Sequence, residues 1–111
     1  MSNIKIEKND NYNVIELEGK FIGGEETDAL RTKLLELKNN NLILDLVNVT
    51  YLNSTALGIL LSAHSEYLIN DSEIIIVNSN STVENLLNIT QLSLVFTILD
   101  SLENAKRKIN K

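Results

Sequence analysis

The chain has 111 residues, of which 43% are hydrophobic and 23% charged, values that are ordinary for one compact globular domain. It contains no cysteine, which excludes a disulfide framework and a thiolate metal site. Its formal net charge of −5 disfavours nucleic acids and anionic membranes as partners. We therefore expect residues 1–111 to form a single domain.

The N-terminal segment lacks the pattern of a signal peptide, because residues 1–13 are polar and interrupted by charge. The longest apolar run, residues 74–77, is far too short to span a bilayer. The sequence therefore predicts a cytoplasmic protein that makes no membrane contact.

The hydrophobic pattern predicts strands that alternate with helices after an initial β-hairpin. Strands are indicated by apolar residues at every second position or by short continuous apolar runs, and helices by apolar residues three or four positions apart. The predicted elements, in chain order, are strands at residues 4–7 and 14–17, a helix at 25–38, a strand at 42–46, a helix at 55–69, a strand at 73–77, a helix at 82–89, a strand at 94–98 and a helix at 101–109. This order predicts an α/β fold, a mixed sheet of four to five strands with a parallel core, packed against about four helices.

Turn and capping residues set the predicted boundaries of these elements. Gly19 is expected to end the second strand, and Gly23 and Gly24 to form the loop before the first helix. Ser81 and Ser101 are the expected N-caps of the third and fourth helices. Continuous apolar runs are typical of strands buried on both faces. Four residues of such runs are therefore expected in the core: Leu44, Leu46, Ile75 and Val77.

The residue sets that most enzymes and cofactor sites use are missing from the sequence. There is no phosphate-binding loop of the Gly-x-x-x-x-Gly-Lys-Ser/Thr type, and Gly23 and Gly24 are followed by two glutamates, which would repel a pyrophosphate. The single histidine, His64, cannot form a histidine-based metal site alone, and its helical spacing from several leucines favours a packing role. We therefore expect no enzymatic activity, no cofactor and no metal site.

One segment, residues 45–61, is more informative than the rest. It predicts a strand, a connection and a helix that opens with Asn53, Ser54 and Thr55. All three residue types are favoured at helix N-caps. Residue type alone therefore explains Ser54 as a cap and does not by itself indicate a function.

The same segment resembles the signature of the STAS family, the sulfate transporter and anti-sigma factor antagonist domains. In that signature a buried strand ending in Asp-Leu leads to Asp-Ser-Ser/Thr-Gly-Leu-Gly. The matching residues here are Asp45, Leu46, Ser54, Thr55, Leu57 and Gly58. The resemblance extends over nearly the whole chain, including Gly19, residues 73–77 and residues 86–96. Asn53 stands where members that are switched by phosphorylation carry Asp, and Ala56 where they carry Gly.

The resemblance implies a bacterial anti-sigma factor antagonist, a protein-binding module of signal transduction and transcription regulation. Ser54 matches the serine that is phosphorylated in such proteins, and Thr55 is a secondary candidate. The implied partners are an anti-sigma factor with serine kinase activity, which the unphosphorylated protein would sequester, and a serine/threonine phosphatase of the metal-dependent class. The protein itself would be a monomer or a weak dimer. The partner-binding residues that we expect are Gly23, Gly24, Asn53, Ser54, Thr55, Ala56 and Gly58.

Two alternatives within the same family remain open at this point. The first is a scaffold that binds its partner constitutively, which Asn53 and Ala56 would suit. The second is a STAS domain that senses a small molecule, also without phosphorylation.

Overall fold

The structure, a computed structural model, describes residues 2–109 and places five strands, four α-helices and one 3₁₀ helix within that range. The elements are β1 (Ser2–Lys8), β2 (Tyr12–Phe21), α1 (Gly24–Glu36), β3 (Asn41–Leu52), α2 (Ser54–Ile69), β4 (Ile74–Val77), α3 (Ser81–Ile89), the 3₁₀ helix (Leu92–Leu94), β5 (Thr97–Leu99) and α4 (Leu102–Ile109). None of the helices described in this range is both long and apolar enough to cross a membrane.

The five strands lie in the sheet in their sequence order, from β1 to β5. β1 pairs antiparallel with β2, whereas β2 to β5 pair parallel to one another. The mixed sheet with an initial hairpin and a parallel core is therefore confirmed. β2 and β3 end at the same level, because Phe21 pairs with Leu52, and the segments that follow these two strands lie side by side.

Successive residues of the central strands pack against helices on opposite faces of the sheet, as the two-residue repeat of a strand requires. Leu42, Leu44 and Leu46 belong to the larger core with α1, α2 and α3, whereas Ile43 belongs to a smaller cluster under α4. The four core residues predicted from the sequence, Leu44, Leu46, Ile75 and Val77, are all fully buried.

Two strands run further than the sequence predicts. β3 continues from Leu46 to Leu52, and beyond the end of β4 it pairs with β2 alone. Gly19 does not end β2, since the strand passes through Gly19 to Phe21 with an irregular register at that point. The φ of 91° at Gly19 is readily adopted by glycine, which has no Cβ.

Other boundaries differ by smaller amounts. The N-cap of α3 is Asn80 rather than Ser81, and its side-chain oxygen accepts from the Val83 N–H at 3.0 Å. Ser101 is confirmed as a cap, because its hydroxyl oxygen accepts from the Asn104 N–H at 3.2 Å. The strand predicted at residues 94–98 is replaced by the end of the 3₁₀ helix and the shorter β5.

Candidate phosphorylation and partner-binding site

The end of β3 places Ser54 at the first residue of α2. Asn53 is the N-cap, with an extended backbone of φ −80° and ψ 178°, and the helix begins at the next residue. The Ser54 side chain is exposed to solvent. Because Asn53 makes the cap, capping does not explain the serine at position 54.

Asn53 connects the start of α2 to the segment between β2 and α1. Its side-chain oxygen accepts from the Ala56 N–H at 2.8 Å, and its side-chain nitrogen donates to the Ile22 carbonyl oxygen at 3.0 Å. Its backbone N–H donates to the Phe21 carbonyl oxygen at 3.2 Å. An ionised aspartate could accept the first of these bonds but could not donate the second.

Gly23 and Gly24, the N-cap and the first residue of α1, differ in what a side chain would meet. Gly23 is the N-cap of α1, and its N–H donates to the Glu26 carboxylate at 2.7 Å. A Cβ at Gly23 would collide with that carboxylate, whereas a Cβ at Gly24 would meet nothing within 4 Å. A Cβ at Gly23 would require only a shift of the flexible Glu26 side chain, so packing requires glycine at neither position.

Thr55 and Gly58 line a groove of about 620 Å³ between α1 and α2. The α1 side of this groove includes Arg31, Leu35 and Lys38. A Cβ at Gly58 would meet nothing within 4 Å, so the fold does not need a glycine there. Glycine inside a helix is destabilising by about 0.5–1 kcal/mol relative to alanine. Neither packing nor helix propensity therefore explains glycine at position 58.

Ala56 differs from the other predicted partner-binding residues. Its side chain is fully buried in the larger core, and its N–H is occupied by Asn53. A partner could reach it only by displacing the core. The side chain of Ala56 is therefore not available for the contact that the sequence suggests.

The electrostatics of the α2 start favour an added anion. The first turn of α2 has no acidic residue, whereas the first turn of α1 contains Glu25 and Glu26. The positive end of the α2 dipole is thus not neutralised by side chains of its own helix.

A buried hydrogen bond joins α1 and α2: the Tyr67 hydroxyl donates to the Leu34 carbonyl oxygen at 2.7 Å. Burial raises the pKa of the Tyr67 phenol.

Two exposed apolar side chains near Ser54 were not singled out by the sequence analysis. Ile22 is 51% exposed, and its carbonyl is the one bonded by Asn53. Tyr51 is 43% exposed and lies two residues before Asn53. Contiguous apolar patches mark protein-binding surfaces, whereas single exposed apolar side chains are common on all proteins. The sequence signal that could have found them is an apolar residue directly flanking a predicted loop.

His64 has the packing role expected from the sequence. It is half-buried, and its ring lies with its centroid 5.0 Å from that of Phe96. Across residues 2–109, no three histidine, aspartate or glutamate side chains come together as a metal site.

The family model for the STAS domain matches residues 3–105. The chain belongs to the STAS domain family. Solved structures with a similar fold include an anti-sigma factor antagonist from Mycobacterium paratuberculosis, with 21% identity, a TM-score of 0.85, and coverage of 100% of this chain and 96% of the other. SpoIIAA in its unphosphorylated form has 18% identity and a TM-score of 0.84, covering 97% and 96%. The Bacillus cell fate determinant SpoIIAA in the phosphorylated form has 16% identity and a TM-score of 0.76, covering 98% and 100%.

Proposed function

We propose that this STAS domain is an anti-sigma factor antagonist whose affinity for its partner is switched by phosphorylation of Ser54. The partner is an anti-sigma factor with serine kinase activity, which the unphosphorylated domain sequesters. The observation that carries the proposal is the exposed Ser54 side chain at the first residue of α2, in the position that matches the family's phosphorylated serine. It is supported by the similar folds of the Mycobacterium antagonist and of SpoIIAA, which has been solved in unphosphorylated and phosphorylated forms.

A phosphate on Ser54 is compatible with the fold. The Ala56 N–H donates to the Asn53 side-chain oxygen, and the Leu57 N–H donates to the Asn53 carbonyl oxygen. The N–H groups of Ser54 and Thr55 come earlier in the helix and have no acceptor within it. An anion at such a helix start is stabilised by about 0.3–1 kcal/mol. We therefore expect the phosphorylated domain to stay folded.

The effect of the phosphate falls on the contact with the partner. The group adds a charge of about −1.5 to −2. It would lie at the exposed start of α2, on the surface that the partner is proposed to cover and dehydrate. Burying that charge costs desolvation free energy, and any acidic group opposite would repel it. The unphosphorylated form therefore binds and the phosphorylated form does not, until a phosphatase of the metal-dependent class removes the group.

The partner-binding surface combines three parts of the chain. Ser54, Thr55 and Gly58 contribute the exposed side of the first turns of α2. Gly24, with Gly23 beside it, contributes the start of α1, which Asn53 holds next to α2. Thr55 is the secondary candidate for phosphorylation, because it too is exposed in the first turn.

Phosphorylation of the purified protein tests the assignment of the acceptor. Wild type, Ser54→Ala and Thr55→Ala are each incubated with ATP and the purified kinase-type anti-sigma factor, and peptide mass spectrometry locates the phosphate. We expect it on Ser54 in the wild type and in Thr55→Ala, and none in Ser54→Ala. Phosphate on Thr55 of the wild type would show that Ser54 is not the acceptor. Binding without any phosphate would instead support the constitutive scaffold.

The groove between α1 and α2 favours small-molecule sensing as a second candidate function. Its volume of about 620 Å³ lies within the roughly 300–1,000 Å³ of small-molecule sites. Thermal denaturation with and without nucleotides tests this candidate. If the groove binds nucleotides, they should raise the melting temperature of the wild type but not that of Gly58→Leu, whose side chain would occupy the groove. If nucleotides leave the melting temperature of the wild type unchanged, nucleotide sensing is ruled out.

A further inference from the structure

Asparagine caps two helices of this domain in the same two-sided way. At α2, Asn53 accepts from the Ala56 N–H and donates backwards to the Ile22 carbonyl oxygen at 3.0 Å. At α3, Asn80 accepts from the Val83 N–H at 3.0 Å. Its amide nitrogen lies within hydrogen-bonding distance of three carbonyl oxygens of β3, with the shortest contact, 2.7 Å, to Val49. Aspartate, serine or threonine could supply the cap, but an ionised aspartate has no donor for the backward bond, and the shorter serine and threonine lack the amide nitrogen that makes it here.

We propose that Asn53 is a positioning residue that holds residues 22–24 in place for partner binding, an inference that rests on the proposed function. The segment contains the exposed Ile22 side chain and the exposed Gly24. The Asn53 side-chain amide donates a hydrogen bond to the carbonyl oxygen of Ile22, which belongs to this segment. Because the same side chain caps the helix that begins with Ser54, the phosphorylated residue and residues 22–24 are held as one surface.

This role gives a physical reason for asparagine at position 53. An ionised aspartate there would place a carboxylate against the Ile22 carbonyl oxygen, two acceptors with no proton between them. The amide makes both the cap and the bond to the Ile22 carbonyl oxygen.

The test compares Asn53→Asp and Asn53→Ser with Asn80→Asp. The two variants at position 53 retain an oxygen that can cap α2, but both lose the amide nitrogen that donates to the Ile22 carbonyl oxygen. Asn80→Asp is the matched control, since it makes the same chemical change at α3, where the lost bonds are to β3. Hydrogen exchange followed by NMR is measured on each protein without a partner, and the dissociation constant of the kinase-type anti-sigma factor is measured by calorimetry.

We expect faster amide exchange at residues 22–24 in both Asn53 variants, with exchange of the Ala56 amide in α2 unchanged. The affinity for the partner should fall by about two- to tenfold, the range expected for one lost hydrogen bond. Asn80→Asp should leave both properties as in the wild type.

Unchanged exchange at residues 22–24 would overturn the proposal, and so would faster exchange with an unchanged dissociation constant. An equal loss of affinity in Asn80→Asp would also overturn it, because the effect would then be general. If the wild type itself does not bind the anti-sigma factor, the proposed function fails and the role in partner binding fails with it. The exchange data would still show separately whether Asn53 holds residues 22–24.

Discussion

Gly58 is a predicted partner-binding residue whose identity the fold does not explain. It lies in the interior of α2, is exposed, and has open space where a Cβ would stand. Alanine has the higher helix propensity because glycine loses more backbone entropy on folding. A residue that is suboptimal for stability and unexplained by packing is a candidate for a contact with another molecule.

We expect Gly58→Ala to raise the free energy of unfolding by about 0.5–1 kcal/mol and to weaken the binding of the anti-sigma factor. Urea denaturation and calorimetric titration measure the two effects. Ser65→Ala is the control, because Ser65 is also an exposed α2 residue, but it does not line the groove. Gly58→Ala with an unchanged dissociation constant would remove Gly58 from the binding surface.

Tyr67 predicts how stability depends on pH. Its side chain is fully buried, and burial raises its pKa above the usual value of about 10. The folded state therefore keeps the phenolic proton over a range in which the unfolded chain has lost it. The contribution of Tyr67 to stability is fully present below pH about 10 and decreases as the pH rises above that value.

Tyr67→Phe should lower the free energy of unfolding at neutral pH by about 0.5–1.5 kcal/mol, through loss of the hydrogen bond to Leu34. The free energy of unfolding of this variant should also fall less steeply than that of the wild type above pH about 10, because the buried phenol that titrates is gone. Urea denaturation at neutral and alkaline pH measures both differences. Tyr51→Phe, at an exposed position, is the control and should retain the alkaline decline. An equally steep decline in Tyr67→Phe would show that Tyr67 does not cause it.

At the scale of elements, the two halves of β3 differ in their strand pairing and exposure. Its first half pairs with strands on both sides and is buried, whereas its second half pairs with β2 alone and carries exposed side chains such as Val47. The second half also contributes Val49 and Leu52 to the core, and it carries the chain to the start of α2.

We expect Leu44→Ala to lower the free energy of unfolding by about 2–4 kcal/mol, as large-to-small changes in a core do. Val47→Ala, at a side chain that is 47% exposed, should lower it by less than about 0.5 kcal/mol. Urea denaturation of the two variants measures this contrast. A loss of less than about 0.5 kcal/mol in Leu44→Ala would place the first half of β3 outside the core.

The division of β3 also shows which features could be predicted from the sequence. Periodicity identified β1 to β4 and the four α-helices because burial on one or both faces imposes a pattern on neighbouring residues, but it missed the 3₁₀ helix before β5. It could not locate the ends of β2 and β3, since those depend on pairing with a distant partner. The sequence placed Ser54 at a helix start, but it could not choose the cap among Asn53, Ser54 and Thr55. That choice depends on the Ile22 carbonyl, which is near Asn53 only in the folded chain.

At the scale of the whole molecule, the candidate site lies at the ends of β2 and β3, at one edge of the buried sheet. The core lies between the sheet and the helices on both its faces. Ser54 and residues 22–24 lie outside that core and are joined through Asn53. Such an arrangement allows a change of charge at Ser54 to alter binding while the fold is retained.

Calorimetric titration of the anti-sigma factor with the phosphorylated and the unphosphorylated protein tests most directly whether the phosphate on Ser54 controls binding. Ser54→Ala is titrated alongside and should bind like the unphosphorylated wild type, whether or not ATP is present. We expect phosphorylation to raise the dissociation constant by at least about tenfold, because a buried uncompensated charge weakens an interface by several kcal/mol. Equal dissociation constants for the two forms, with phosphate confirmed on Ser54, would contradict the switch.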